Sequence, residues 1–187
     1  MGRLEEAITE MKRAQDADPL SLPVSAVAAR TFYFARRYDQ AIEQLRKTLE
    51  MDPTFPLAHW CLGMAYVQVG RHEEAIAEYQ KAVSLPRGLP SALGGLGYAY
   101  AVSGKRTEAQ KVLAELKELS KRRYVPPFAI AVIYVGVGDK AQAFEWLDKA
   151  YEDHSLLLTW IKVWPELDSL RGETRFQDLL RRMNLAP

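Results

Sequence analysis

The chain has 187 residues, 48% of them hydrophobic and 26% charged, which supplies a folded core and excludes a disordered chain. Basic and acidic residues balance to a formal net charge of +1, so no long-range field draws the chain to nucleic acid or to an anionic membrane surface. No apolar run approaches the roughly 18 residues of a membrane span, and the N-terminal MGRLEEAITEMKRA is too charged to read as a signal peptide.

Residues 3–17 carry Leu4, Ala7, Ile8, Met11 and Ala14 at steps of three and four, which predicts an amphipathic helix. Asp18-Pro19 ends it, because proline has no amide donor and disfavours helix in the residue before it. Ala7 also opens a register: Ala41, Ala75, Ala109 and Ala143 follow it, each 34 residues after the last. A fixed period of this length marks an array of stacked supersecondary units, each too small to bury its own apolar face. In that register residues 1–21 form a half repeat, the second helix of a unit, with the stripe Leu4, Ile8 and Met11 lacking its first helix.

Residues 22–55 read as a helical hairpin, with helices over about 23–35 and 39–51 and a stop at Asp52-Pro53. Ala28, Ala29, Phe32, Tyr38, Ala41, Leu45 and Leu49 give its inward pattern, and Arg36 stands where the later units carry a turn glycine. Residues 56–89 are the clearest copy, with Leu62, Gly63, Tyr66, Gly70, Ala75, Tyr79, Ala82 and Pro86. Small Gly63 and Ala75 let the two helices approach, large Tyr66 and Tyr79 fill the space between hairpins, and Gly70 turns the chain.

The pattern recurs over 90–123 with Leu96, Gly97, Tyr100, Gly104, Ala109, Leu113 and Leu116. It recurs again over 124–157 with Ile130, Ala131, Tyr134, Gly138, Ala143, Leu147 and Ala150, and Pro126-Pro127 fall in the first turn, where missing donors cost little. From 158 the small anchors disappear, so 158–187 reads as a C-terminal capping segment. Thr174 with Gln177 predicts a capping box ahead of the stripe Phe176, Leu179, Leu180 and Met183.

On these residues the unit resembles the tetratricopeptide repeat (TPR), whose 34 positions run Leu-Gly, Tyr, Gly, Ala, an aromatic, Ala and Pro. Leu62, Gly63, Tyr66, Gly70, Ala75, Tyr79 and Ala82 match position for position, and Arg36, Thr48 and Pro127 are departures in the weaker units. The resemblance implies a single all-α domain over 1–187, a right-handed superhelix of helical hairpins whose first helices line a concave groove. The lining positions then give Arg30, Tyr33, Trp60, Met64, Gln68, Tyr98, Phe128 and Val132 as the peptide-binding groove. Such an aromatic and aliphatic surface suits an apolar peptide or an amphipathic helix. The last sixty residues also resemble the closing block of repeat regions attached to bacterial multidomain regulators such as kinases, cyclases and winged-helix transcription factors.

The family's two-carboxylate clamp needs lysine, asparagine and arginine in the groove, and here Arg30 stands without the rest of that set. Catalytic chemistry has no foothold in the pattern. His59, His72 and His154 fall at unrelated phases, and His59 faces away from Cys61, since helical residues two apart do not meet. Cys61 reads as a small buried hydrophobe and Glu73-Glu74 as a helix start. Gly94-Gly95-Leu96-Gly97 lies inside a helix rather than after a strand, so it is no phosphate loop.

The expectation is a non-enzymatic interaction scaffold for a protein or peptide partner, with no cofactor, metal or nucleic acid. Two alternatives stand beside it: self-association through the N-terminal half repeat, and a regulatory segment of a larger bacterial protein. The expected compartment is the cytoplasm, or the periplasm if the chain belongs to a membrane-anchored regulator.

Overall fold

A computed structural model describes residues 2–85 and 89–185. Pro86, expected to close the clearest repeat, lies outside the described residues. Among these residues ten α-helices follow in chain order: α1 (Gly2–Ala17), α2 (Leu22–Phe34), α3 (Tyr38–Met51), α4 (Pro56–Gln68), α5 (His72–Ser84), α6 (Pro90–Val102), α7 (Arg106–Leu119), α8 (Pro127–Val137), α9 (Lys140–Glu152) and α10 (Thr174–Arg182). Two 3-10 turns, Leu156–Trp160 and Pro165–Leu170, separate α9 from α10. The fold is all-α, as the repeat implied, and no strand occurs among the described residues.

Each hairpin starts and turns by the same chemistry. Pro56, Pro90 and Pro127 are the first residues of α4, α6 and α8, where the missing amide would have no partner within the helix. Gly70, Gly104 and Gly138 adopt φ of 76°, 81° and 82° between the two helices of a hairpin. The next amide then reaches back to the preceding helix, Arg71 to Tyr66, Lys105 to Tyr100 and Asp139 to Tyr134, at 2.9 to 3.0 Å. Arg36 takes the same left-handed conformation at φ 64° without being glycine, and Arg37 closes onto the Phe32 carbonyl at 2.9 Å.

The helices group into two compact units, 1–89 and 90–187, divided at a boundary of the 34-residue frame. In the first, α1 packs on α2, α2 on α3, and α4 on α3, α2 and α5. Its second helices bury Ala41, Ile42 and Leu45 on α3 and Ala75, Ile76, Tyr79 and Ala82 on α5. A Cβ added to Gly63 would stand 2.9 Å from the Tyr79 ring, so the glycine is what lets that ring lie across α4. Thr48, where two other units carry alanine, is fully buried and shares a 2.7 Å hydroxyl contact with Ser25 on α2, and Gln44 Nε2 donates to Ser25 at 2.6 Å. The departure from the repeat pattern is therefore a buried polar pair that joins the first hairpin.

In the second unit α6 packs on α7 and α8, α8 on α9 and on the Pro165–Leu170 turn, and α10 on α9. Gly94 meets the backbone of Ala129 so closely that a Cβ would stand 2.6 Å from its carbonyl oxygen. The expected capping box at Thr174 does not form. Thr174 is the first helical residue, Glu173 occupies the cap position without a side-chain cap bond, and Gln177 Nε2 donates instead to the Arg171 carbonyl at 2.9 Å. The Glu173 carboxylate is drawn away by Lys140 Nζ at 2.5 Å. The stripe itself holds, with Phe176, Leu179 and Leu180 buried.

Candidate functional site

The residues expected in the groove all fall on first helices: Arg30 and Tyr33 on α2, Trp60, Met64 and Gln68 on α4, Tyr98 on α6, Phe128 and Val132 on α8. Their exposure divides them into two groups. Tyr33, Trp60, Met64, Phe128 and Val132 lie in the interior, none more than 6% exposed, whereas Arg30, Gln68 and Tyr98 are half-buried. Two of the interior members have ring partners within their own units. Tyr33 packs edge-on against Phe34 and tilted against Tyr38, with ring centroids 5.5 and 5.7 Å away. Phe128 meets Trp164 of the C-terminal segment edge-on at 4.7 Å. Tyr98 leans on α8 where Gly136 lacks a side chain, since a Cβ there would stand 2.9 Å from its ring.

Frame position could not distinguish these groups, because it records which way a side chain leaves its helix and not how closely the next helix approaches. Alanines at Ala26, Ala29 and Ala58 and glycines at Gly63, Gly94 and Gly97 draw the helices together. The larger chains between them are enclosed as a result.

Two cation links on the second helices were missed by the sequence reading. Arg46 on α3 donates to the Tyr66 hydroxyl at 3.0 and 3.2 Å, and Arg71 stacks over the same ring 4.4 Å from its centroid while pairing with Glu74. Lys117 on α7 donates to the Tyr134 hydroxyl at 2.8 Å. Tyr66 and Tyr134 occupy the same repeat position, but their cations come 20 and 17 residues earlier, so no fixed spacing announced the link.

The titratable groups do not converge on a reacting centre. Cys61 is buried and its thiol is pushed up to about 12 by desolvation, so it stays protonated and is a poor nucleophile. His59 is buried on α4 and contacts Glu78 and the Pro53 carbonyl; His72 begins α5, and His154 is exposed at φ 51°. No three His, Cys, Asp or Glu side chains come together as a metal site among the described residues. No helix among them is long and apolar enough to cross a membrane.

Residues 27–92 match the family model of the tetratricopeptide repeat. No curated protein matches the sequence. Among solved structures, MamA is 24% identical with a TM-score of 0.57, over 84% of this chain and 92% of that chain. A tetratricopeptide repeat protein from Parabacteroides merdae ATCC 43184 is 16% identical with a TM-score of 0.65, over 98% of this chain and 72% of that one. YrrB, described as a TPR protein with an unusual peptide-binding site, is 24% identical with a TM-score of 0.52, over 86% of this chain and 84% of that one. These likenesses establish the fold: a solenoid of helical hairpins of the tetratricopeptide type.

Proposed function

We propose that this chain is a non-enzymatic protein-interaction scaffold whose first helices receive a peptide or helical segment of a partner. The observation that carries the reading is the graded burial along the expected lining of α2 and α4, where Arg30 and Gln68 are half-buried while Tyr33, Trp60 and Met64 are interior. A close-packed apolar layer holds its polar handles in fixed positions, so the ordering entropy of binding falls mainly on the partner. Tyr98 plays the corresponding part on α6 as an aromatic face with accessible surface. Tyr33, Trp60 and Met64 in the first unit, and Phe128 and Val132 in the second, then act as support, each set for its own unit's surface. The peptide-binding use recorded for YrrB accords with this reading of the shared fold.

Panning a random peptide display library against the protein tests it. Enrichment of a peptide whose affinity falls about tenfold or more in Arg30→Ala/Gln68→Ala supports the proposal, a loss of over 1 kcal/mol marking an energetically important contact. Failure to enrich any peptide, or equal affinity of the double variant, overturns it. A second reading, self-association through α1, is favoured by the half-buried state of Leu4, Ile8 and Met11, whose counterparts on α3 are largely interior. Light scattering at several concentrations separates the two, because a molecule that stays monomeric rules out self-association.

A further inference from the structure

We propose that His59 is a proton-controlled clasp, holding the α3–α4 turn against α5 while its ring carries two protons and releasing it when one is lost. The geometry has the ring bridging two acceptors. His59 is 5% exposed, with Nε2 2.9 Å from the Pro53 carbonyl oxygen and Nδ1 2.5 Å from Glu78 Oε2. A carbonyl can only accept, and so can an ionised carboxylate. An imidazolium has two N–H donors and satisfies both neighbours, whereas a neutral ring has one donor and must turn a lone pair toward one of them.

The surroundings keep the carboxylate in its ionised form. Glu78 Oε1 accepts from Lys81 Nζ at 2.8 Å, so each carboxylate oxygen has its own donor. The charged groups acting on His59 from the packed elements are Glu78 and Lys81 of α5 and Asp52 of the turn. Asp52 is engaged locally, accepting from the Thr54 amide at 2.8 Å and from its hydroxyl at 2.7 Å. Burial works against the charged ring, but the bonds to Glu78 and Pro53 outweigh it and hold the His59 pKa above the ordinary value. Burial likewise opposes ionisation of Glu78, and the donors His59 and Lys81 outweigh it and hold that carboxyl below its ordinary value.

The clasp sits where one hairpin passes into the next. Residues 52–55 connect α3 to α4, and His59, four residues beyond, ties that connection to the far helix of the second hairpin. A raised pKa means that the contribution is complete below the ordinary histidine value of about 6.5 and is lost as pH rises through the folded value. The junction is therefore tight at mildly acid pH and slack in alkali, whatever partner the first helices bind.

Two readouts on the intact protein test this. The His59 ring is titrated by ¹⁵N NMR, assigned by loss of its signals in His59→Gln, while hydrogen exchange is followed at the Thr54 and Phe55 amides after correction for intrinsic rates. The expected result is a doubly protonated ring near about pH 6, and protection that falls by up to about tenfold per pH unit between about pH 6.5 and the ring's own midpoint and levels off above it. His59→Gln then removes this pH dependence, and His72→Gln leaves it intact. A neutral ring at that pH, protection that does not change, or the same dependence in His59→Gln overturns the proposal. If His59→Gln fails to fold, the wild-type profiles decide, since protection that goes on falling well above the ring's midpoint, or is already lost below about pH 6.5, also overturns it.

Discussion

Phe128 on α8 and Trp164 in the C-terminal segment meet edge-on with ring centroids 4.7 Å apart, and both are almost fully buried. The contact makes a residue expected at a binding surface part of the second unit's core. It also explains why a helix as uniformly apolar as PFAIAVIYVGV is tolerated: residues 127–134 of α8 are all buried, with α6, α7, α9 and the Pro165–Leu170 turn packed against the helix.

Trp164→Ala is expected to destabilise the protein by about 3–5 kcal/mol, the range for deleting a large aromatic from a core. Chemical denaturation measures it. A loss below about 1 kcal/mol would show that the C-terminal segment is not part of the core of this unit.

Gly63 and Gly70 are glycines for different reasons, and substitution separates them. Gly63→Ala places a methyl 2.9 Å from the Tyr79 ring and forces repacking, with an expected loss of about 1–3 kcal/mol. Gly70→Ala meets nothing within 4 Å and is strained only by φ 76°, so its cost is about 1–2 kcal/mol. Adding Tyr79→Leu should relieve part of the first loss and none of the second, as read from denaturation midpoints.

The hydroxyls of Ser25 and Thr48 are buried and mutually bonded; Thr48 donates to the Gln44 carbonyl and Ser25 accepts from Gln44 Nε2, so losing Ser25 strands that amide and losing Thr48 takes the acceptor from the Ser25 hydroxyl. Ser25→Ala and Thr48→Val each lose about 1–3 kcal/mol. The double variant should lose less than the sum, with a coupling of about 0.5–3 kcal/mol in a double-mutant cycle. Additive losses would mean that the pair does not act as a unit.

Cys61 is expected to resist thiol reagents in the native protein at about pH 8, since burial holds its pKa at about 12. Full reaction is expected once the chain is unfolded in denaturant. Rapid native labelling, followed by absorbance of a chromogenic disulfide, would show that α4 opens far more readily than its packing implies.

The pair His59 and Glu78 also sets a stability window with opposite limits. Glu78 is held below its ordinary value, so its contribution is present above about pH 4.5 and falls away as pH drops through the folded value; that of His59 is lost as pH rises above about 6.5. Tm measured against pH should therefore peak between these limits in wild type. Glu78→Gln should flatten the profile at both ends.

Much of the architecture was legible from spacing alone. Five alanines at a constant 34-residue interval, with proline at helix starts and glycine at the turns, marked out the hairpins, and the two helices of the first one were placed to within a residue. These features act locally, through the missing amide of proline and the conformational freedom of glycine at φ 76° to 82°. The C-terminal segment was harder to read, because Glu173 found a partner 33 residues away in Lys140 and Gln177 turned to the Arg171 carbonyl.

What the chain determined by itself was the period, the hairpins and the face from which each side chain departs. Only tertiary structure decided which of those side chains stay accessible. Arg30 and Trp60 were read from the same lining pattern, yet one is half-buried and the other is 6% exposed. The physical reason is that burial depends on how closely the neighbouring helices approach, and that distance is set by small residues elsewhere in the chain. His59 makes the same point in chemical terms: its phase within α4 excluded a partnership with Cys61, but the carboxylate that meets it lies 19 residues away on another helix.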